Sequence, residues 1–512
     1  MSSSISSNRM LFAASFIALV TTAFAFMLRI NLMGVWETAY SLDKTQVGTI
    51  FGAGLWPFGA SIILFSLIID RVGYGKAMAF AFVCHVLFAV LTITATGYRM
   101  LYWASVIGAL GNGAVEAVIN PLIATVYAKD KTKWLNILHA GWPSGLVITG
   151  VLVLGVGSSL PWQWQIGMIL VPAFAYGAMM LRMEFPVSER VAEGVSYRAM
   201  LAEVGWGGAF IAFLLIVMEL TTNVLGIVAL QNIGAQMLIA AVLAAVYGYY
   251  ARSFGRPLFV FMLVLMLLLA TTELGTDSWV KDLLGPAIGN TLGIDSGWVL
   301  VYTALIMMVL RLTCGPLIKR LQPLGVLAVS AGLAAAGIFW LSMLGGNAGT
   351  TALVIIVAAT VYGVGQTFFW PTTLGFISEQ FPRGGAMTLN VIAGVGMLGV
   401  GVLGSVWLGN LQDKSVVSAL EDDRPELVAR YVEERPPSLF GNYRALTEEA
   451  VEVRDAMMTP DAAALAVATD EGKMSALRTV VALPAIMLLA YLALLFWFNS
   501  RGGYRPVEFG SS

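Results

Sequence analysis

The chain has 512 residues, of which 58% are hydrophobic and only 12% are Asp, Glu, Lys or Arg. A soluble protein of this length needs a charged exterior, which this composition cannot supply. The 29 basic and 30 acidic residues nearly balance, which excludes the strongly basic surface of a nucleic-acid-binding protein. With two cysteines and two histidines, the sequence predicts no disulfide framework, no metal centre and no cofactor. It predicts a polytopic membrane protein.

Fourteen apolar runs are long enough to span a membrane as helices, because a span needs about 20 mostly apolar residues to cross the hydrocarbon. The predicted fold class is therefore all-α. The first run follows Arg9, as a signal peptide would, but it continues to Arg29 without a turn, so we interpret it as a span. The runs lie near residues 11–33, 47–69, 77–97, 101–127, 136–158, 163–181, 204–227, 233–251, 256–275, 298–317, 323–344, 351–375, 386–409 and 478–499.

The basic residues of the short loops predict the orientation of these spans, because such residues accumulate on the cytoplasmic side. Sixteen Lys and Arg fall in one set of loops, and three fall in the opposite short loops. An even number of spans places both termini on the same side. We therefore expect a protein of the cell inner membrane with both termini in the cytoplasm.

The chain contains an internal repeat of the kind found in transporters built from two similar halves. Gly113 precedes Pro121 by eight residues in the fourth run, and Gly363 precedes Pro371 by the same distance in the twelfth. A Leu-Asn pair follows each proline after a basic link, at 135–136 and at 389–390. These matches predict two six-helix halves with two helices inserted between them.

Residues 410–477 form the only sizeable soluble segment, and acidic residues outnumber basic ones within it. Residues 445–457 and 461–477 have the pattern of amphipathic helices. We interpret the segment as a solvated cap on the outer face, and a partner-binding role stays open. The predicted domains are the first half at 1–190, the linker with two inserted helices at 191–255, the first five helices of the second half at 256–409, the acidic insertion at 410–477, and the last helix with its tail at 478–512.

Three segments carry a resemblance to a known family. The loop D-R-V-G-Y-G-K at 70–76 resembles the D-R-x-G-x-x-K part of the signature loop of the major facilitator superfamily, with Ser66 in place of its leading glycine. The stretch G-A-L-G-N-G-A-V-E-A-V-I-N-P at 108–121 resembles the G-x-x-E-x-x-x-N-P pattern of the fucose permease branch, the sugar:proton symporters. The stretch T-E-L-G-T-D-S-W at 272–279 resembles the start of the second half in the same branch.

This resemblance covers nearly the whole chain except residues 204–251 and 410–477. It implies two halves that rock about a site near the membrane midplane, with Glu116 as the membrane carboxylate. The Asp that the fucose permease carries in its first span is replaced here by Ile30. The proton chemistry of the fucose permease type therefore lacks one of its residues in this chain.

Glu116 is the strongest candidate for the site. An ionisable group at the centre of a membrane helix costs about 2.5–3.5 kcal/mol, so its presence needs a reason. Asn112 and Asn120 lie four residues before and after it, which places all three on one helix face. This row can bind the hydroxyl groups of a solute, and Glu116 is also the candidate for proton coupling. A polar clamp between helices is the structural alternative.

The other candidates are polar, charged or aromatic residues of the spans and loops. Lipid contact for the aromatic residues and structural ion pairs for the charged ones are the alternatives. A possible counter-ion of Glu116 is Arg29. The candidates for binding are Arg29, Asn31, Asn136, Trp142, Glu273, Asp277, Trp279, Gln366 and Trp370. The candidates for gating are Asp70, Arg71, Gly73, Lys76, His139, Arg311, Lys319, Arg320 and Glu379.

The function predicted is secondary transport of a small hydroxylated solute, a monosaccharide, by a monomer that alternates access to its site. The sequence leaves open whether H⁺, Na⁺ or no ion is coupled. A facilitator or exporter of another small molecule, or a sensor with a transporter fold, are the alternatives. An enzyme is not expected, because no nucleophile or metal constellation accompanies the histidines.

The inserted pair and the orientation together predict which loops a membrane-impermeant thiol reagent reaches. A cysteine placed in the 228–232 link is expected to react when the reagent is added outside the cell, and a cysteine in the 251–256 link is not. The reverse labelling pattern would contradict the inserted pair.

Overall fold

The computed structural model describes residues 2–42, 44–155, 157–181, 183–276, 297–344 and 352–508, most of which are helical. The helices are α1 Ser2–Tyr40, α2 Lys44–Gly52, α3 Trp56–Val72, α4 Tyr74–Ile93, α5 Tyr98–Val126, α6 Lys131–His139, α7 Gly141–Gly155, α8 Trp162–Gly167, α9 Leu170–Met180, α10 Glu189–Ala192, α11 Tyr197–Glu219, α12 Ile233–Ala251, α13 Pro257–Ala270, α14 Gly297–Leu312, α15 Gly315–Ser342, α16 Ala352–Gln366, α17 Phe369–Gln380, α18 Gly385–Gly399, α19 Ser405–Asp423, α20 Pro425–Tyr431, α21 Glu448–Ala456, α22 Pro460–Val480 and α23 Ala482–Asn499. Two strands, β1 Val432–Ser438 and β2 Gly441–Leu446, form an antiparallel hairpin. The all-α membrane fold is confirmed, and the hairpin is its one addition within the described residues.

Twelve helices in the described part of the chain are long and apolar enough to cross a membrane. The fourteen predicted runs differ from this number at two places. The apolar helix Leu300–Leu312 is shorter than a full span, and the run near 163–181 is divided between α8 and α9. Fourteen crossings therefore stay a prediction.

The bundle has two ends, which we name by the segments they carry. The basic face is the end with the loops that hold Asp70 and Lys131, and the insert face is the opposite end, which carries residues 410–477. Phe12, near the start of α1, packs against Trp134 with ring centroids 5.3 Å apart. Tyr504, near the other end of the chain, donates a hydrogen bond to Glu379. Both ends of the described chain thus reach the basic face.

Two helical runs are much longer than the membrane is thick. They connect the insertion of residues 410–477 to the helix bundle. The run Pro382–Asp423 has 42 residues and the run Pro460–Asn499 has 40. At about 1.5 Å per residue each is roughly 60 Å long, which is about twice the hydrocarbon thickness. Their extensions, in α19 and α22, pack against each other on the insert face.

The insertion has its own small core, formed by Leu420, Leu427, Tyr431 and Leu465. The helix expected at 445–457 begins only at Glu448, because the preceding residues pair in β2 and Thr447 caps the helix through its hydroxyl. The helix expected at 461–477 is present as α22, which ends at Val480. A cavity of about 530 Å³ lies between α19, the hairpin, α21 and α22.

The inserted helices α11 and α12 pack against each other, and α11 also contacts α13 and α18. Glu203 pairs with Arg256 at 3.2 Å, which joins the start of this pair to the start of α13. The chain crosses itself at Gly205, which has φ +59°. A Cβ atom there would lie 1.9 Å from the backbone nitrogen of Gly255, so only glycine allows the crossing.

Gly205→Ala tests this crossing, because it adds a clash with backbone atoms to the strain of a positive φ. We expect a loss of about 2–4 kcal/mol and a clearly lower Tm in detergent. Gly226→Ala is the matched control, since Gly226 has φ +60° and nothing within 4 Å of the added Cβ. It should cost only the strain of about 1–2 kcal/mol. Equal Tm shifts in the two variants would contradict the close approach.

Candidate functional site

The predicted row of Asn112, Glu116 and Asn120 lies on α5, and all three side chains are buried. The Nδ2 of Asn120 donates to the Oε2 of Glu116 at 2.7 Å. A carboxylate can only accept hydrogen bonds, which fixes the orientation of the Asn120 amide. One carboxyl oxygen of Glu116 is therefore held by its neighbour one helical turn away.

Each of the two histidines of the chain binds one of the asparagines that flank Glu116. His85 Nε2 lies 2.9 Å from the Oδ1 of Asn112, and His139 Nε2 lies 2.8 Å from the Oδ1 of Asn120. Both amide oxygens accept, so both histidines carry their proton on Nε2. His139 Nε2 is also only 4.0 Å from the Oε2 of Glu116. Glu116, Asn120 and His139 thus form one connected polar group, and Asn112 and His85 form a second group beside it.

Two prolines each leave a helix carbonyl without its usual donor near this chain. Pro143 has no N–H for the carbonyl of His139, and Pro371 has none for the carbonyl of Thr367. Arg311 supplies both missing hydrogen bonds. Its Nη1 donates to the carbonyl of His139 at 2.9 Å, and its Nε donates to the carbonyl of Thr367 at 2.7 Å. One guanidinium therefore joins helices from the two predicted halves.

A third proline repeats this arrangement, again with a donor from the second half. Pro121 leaves the carbonyl of Ala117 without a helix donor, and the Nδ2 of Asn390 on α18 donates to it at 3.0 Å. Asn136, the counterpart of Asn390 in the predicted repeat, donates to Thr372 Oγ1 at 3.2 Å. The two asparagines thus each reach a helix of the opposite half. Asn136 belongs to this joint between halves and not to an open binding surface.

Arg311 and Glu273 form a buried ion pair, with their side chains 2% and 6% exposed and the Nη2 to Oε1 distance 3.0 Å. A structural ion pair was the alternative to gating for Arg311, and the structure contains such a pair. Glu273, a binding candidate, lies in the π-helical turn Thr271–Gly275, and its Oε1 accepts a hydrogen bond from Arg311.

Arg29 is buried on α1, against the joint between α2 and α3. A Cβ at Gly54 would lie 1.1 Å from the Nη1 of Arg29, so the guanidinium occupies the space that only glycine leaves free. The Nε of Arg29 has no hydrogen-bond partner among the described residues. No ion pair joins Arg29 to Glu116 in the described chain, and the cation near Glu116 is instead Arg311.

The remaining binding candidates are dispersed. Asn31 donates to the carbonyl of Met27 on its own helix at 2.9 Å and is half-buried. Trp142 packs against Phe26 with ring centroids 5.4 Å apart. Gln366 and Trp370 are both buried, and the ring of Trp370 packs against Gly396. Asp277 and Trp279 lie outside the described residues.

Two ion pairs hold the basic face, and both use the short helix α10, which the sequence analysis did not identify. Asp70 pairs with Arg190 and accepts a hydrogen bond from Ser188. Lys131 pairs with Glu189 at 2.6 Å. The helix α10 therefore links the loops of Asp70 and Lys131 across the first half.

Glu379 joins the two halves at the basic face. It accepts hydrogen bonds from the hydroxyl of Thr132 on α6 and from the hydroxyl of Tyr504. Burial, followed by the nearby Glu379 carboxylate, holds the pKa of Tyr504 well above its usual range. Tyr504 therefore stays protonated and donates a hydrogen bond to Glu379. Glu379 is thus held by hydrogen bonds, and the salt bridges of the described residues do not include it, so its gating role stays a prediction.

The other gating candidates have smaller roles in this structure. Arg71 lies over the ring of Tyr197 at 5.3 Å, and Gly73 makes the turn between α3 and α4 with φ +85°. Lys76, Lys319 and Arg320 form no ion pair with any described residue. The gating role expected of Lys319 and Arg320 therefore stays a prediction.

Sequence reasoning missed three residues of the site. His85 and Tyr176 were not identified, because their partners lie 27 and 91 positions away in the chain. Asn390 was missed as a site residue although it had been matched to Asn136. A signal for it was present, since a proline in a membrane helix always leaves a carbonyl that needs a donor.

The family model described as Major Facilitator Superfamily matches residues 10–405. The structure is similar to the proton:xylose symporter XylE bound to 6-bromo-6-deoxy-D-glucose, with 12% identity, coverage of 95% of this chain and 96% of that chain, and a TM-score of 0.61. It is also similar to the E. coli fucose:proton symporter FucP, with 15% identity, 95% and 99% coverage and a TM-score of 0.54.

A human protein shares the same fold. The organic anion transporter MFSD10 has 10% identity, with coverage of 94% of this chain and 99% of that chain and a TM-score of 0.57. No curated protein sequence matches this chain. At these identities the solved structures establish the fold alone.

Arg311→Met tests the contacts of Arg311 between the halves. It leaves the Glu273 carboxylate and the carbonyls of His139 and Thr367 without their hydrogen-bond donor. We expect a loss of about 3–5 kcal/mol, seen as a lower Tm in detergent. The double variant with Glu273→Gln should recover part of this loss, since it removes the uncompensated charge. Arg430→Met is the control, because Arg430 makes an exposed ion pair with Asp461 and should cost less than about 1 kcal/mol. Similar Tm values for the two single variants would contradict the joint.

Proposed function

The chain belongs to the major facilitator superfamily, and we propose that it carries a small hydroxylated solute, a monosaccharide, across the membrane by alternating access. The observation that supports this proposal is the row of Asn112, Glu116 and Asn120, buried in the bundle. A carboxylate and two amides offer both acceptors and donors along one helix face, which matches the alternating O–H donors and acceptors of a sugar.

The contacts between the halves support alternating access. At the basic face, Thr132 binds Glu379 and Asn136 binds Thr372, so each half holds the other through a few hydrogen bonds. Deeper in the bundle, Arg311 binds the carbonyl of His139. These contacts are few and polar, so water that enters between the halves can replace them. Opening toward the basic face would release the solute there.

We place the basic face in the cytoplasm, on the strength of the Lys and Arg of its loops. The protein would then lie in the cell inner membrane with both termini inside, as a monomer surrounded by lipid. The insertion of residues 410–477 would cover the outer face as a solvated cap.

An organic anion is the second candidate for the solute. It is supported by Arg29, whose buried Nε has no hydrogen-bond partner in the described chain. A carboxylate group on the solute would supply that partner. A facilitator or exporter of such a molecule would use the same fold. A ligand screen that compares neutral sugars with sugar acids and other small carboxylates distinguishes these candidates.

The screen measures the thermal stability of the purified protein with each compound, since a ligand that binds the folded state raises its Tm. We expect a rise with one or more neutral monosaccharides and uptake of the same sugar, labelled, into proteoliposomes. A rise only with carboxylates would favour the organic anion. No rise and no uptake with any monosaccharide would contradict the proposed solute.

Glu116→Leu should weaken monosaccharide binding by about 1–3 kcal/mol, which is roughly 5- to 150-fold in Kd, because it removes the charged acceptor. Glu219→Leu is a matched control on the inserted helix α11. Glu219 is buried and accepts from Asn223 at 2.8 Å, the same spacing as Glu116 and Asn120. Binding measured by calorimetry should be unchanged in this control. Equal losses in the two variants would assign the effect to folding.

A further inference from the structure

We propose that His139 hands a proton to Glu116 through a switch of the Asn120 amide, which couples transport to H⁺. The proposal rests on the proposed function only for the solute whose movement is coupled. It assigns a role to a histidine on α6 that supplies a second titratable group beside Glu116, since Ile30 stands where the fucose permease carries its Asp.

Asn120 stands between the two groups with both ends engaged. Its Nδ2 donates to Glu116 at 2.7 Å, and its Oδ1 accepts from His139 Nε2 at 2.8 Å. In this arrangement Oε2 of Glu116 accepts a hydrogen bond, and Nε2 of His139 carries a proton. If a proton is added to Oε2, this atom becomes an O–H donor, and the amide turns over to present its oxygen to it. The turned amide then donates to Nε2, which fits only a His139 without a proton there.

The two histidines differ at their other ring nitrogen. Nδ1 of His85 lies 2.9 Å from the hydroxyl of Tyr176, so this nitrogen already has a hydrogen-bond partner. Nδ1 of His139 makes no hydrogen bond to any described residue. A proton from water can therefore reach His139 on Nδ1 but cannot reach His85 in the same way. His85 positions Asn112, whereas His139 can accept on one nitrogen and donate from the other.

The proton moves from water to the carboxylate in two steps. Hydronium gives one proton to Nδ1 of neutral His139 and leaves water, so the imidazole is briefly a cation. The Nε2–H bond then breaks, and that proton forms an O–H bond on Oε2 of Glu116, 4.0 Å away in the present structure. His139 ends neutral with its proton on Nδ1, and Glu116 ends neutral. One proton from water has been added to the carboxylate.

Arg311 ties this step to the motion of the halves. The charged groups that face His139 are Glu116 on α5 and Arg311 on α14, with Glu273 behind Arg311. With the halves together, the positive charge of Arg311 attracts the Glu116 carboxylate and repels a second charge on His139. When the halves part, Arg311 stays with Glu273 and Thr367 in its own half. Its charge then withdraws, and Glu116 takes up the proton more readily.

His139→Gln tests the relay, because glutamine keeps a donor for Asn120 but cannot carry a proton. His85→Gln is the matched variant at the histidine whose Nδ1 already has a partner. Each protein is placed in proteoliposomes, and solute exchange at equal pH is compared with uphill uptake driven by a pH gradient. We expect the ratio of uphill uptake to exchange to fall by about tenfold or more in His139→Gln. In His85→Gln both activities should fall together, and in Glu219→Gln neither should change.

An unchanged ratio in His139→Gln, or exchange without uphill uptake in the unaltered protein, would overturn the relay and leave the proposed solute intact. Absence of exchange with every monosaccharide would contradict the proposed function instead. In that case an infrared measurement without solute tests the relay by following the protonation of Glu116 after a drop in pH. The band of the protonated Glu116 carboxyl is identified by its absence in Glu116→Gln. It should appear about tenfold or more slowly in His139→Gln than in the unaltered protein. Equal rates would overturn it.

Discussion

The structure depends on a simple constraint, the loss of a hydrogen-bond donor wherever proline stands in a membrane helix. Three prolines free the carbonyls of Ala117, His139 and Thr367, and in hydrocarbon each unpaired carbonyl costs several kcal/mol. Arg311 and Asn390 meet this demand from other helices. Two of the three hydrogen bonds cross between the halves, so the same groups that complete the helices also join the halves together.

This constraint shapes what a transport cycle can do. The halves cannot separate around Arg311 into a dry space, because the carbonyls of His139 and Ala117 would lose their donors. Separation requires water to arrive as the contacts break, and water supplies both the replacement hydrogen bonds and the protons that the site would use. Helix packing, hydration and protonation are therefore linked at one level of the bundle, between α5, α6 and α14.

Much of this arrangement could be read from the sequence, and the rest depends on tertiary packing. The row around Glu116 followed from helical spacing, and the repeated Gly and Pro positions marked the helices that meet at the centre. A structural ion pair was an alternative for Arg311, but its partner Glu273 lies 38 positions away on another helix, which no local pattern reports. The hairpin of the insertion was missed because its strands are short and interrupted by prolines. The partners of His85 lie on other helices, at distances along the chain that no local pattern reports.

The long helical runs that carry the insertion have a mechanical consequence. Both belong to the second half, and each extends roughly 30 Å beyond the hydrocarbon. They pack side by side and share a compact cap, so they act as one stiff lever. If the halves rock by about 15°, an angle typical of such rigid-body motions, the tip of the lever sweeps roughly 8 Å. The cap magnifies a small rotation at the buried joint into a displacement that a fluorescent label or a bound antibody fragment would register from outside the membrane.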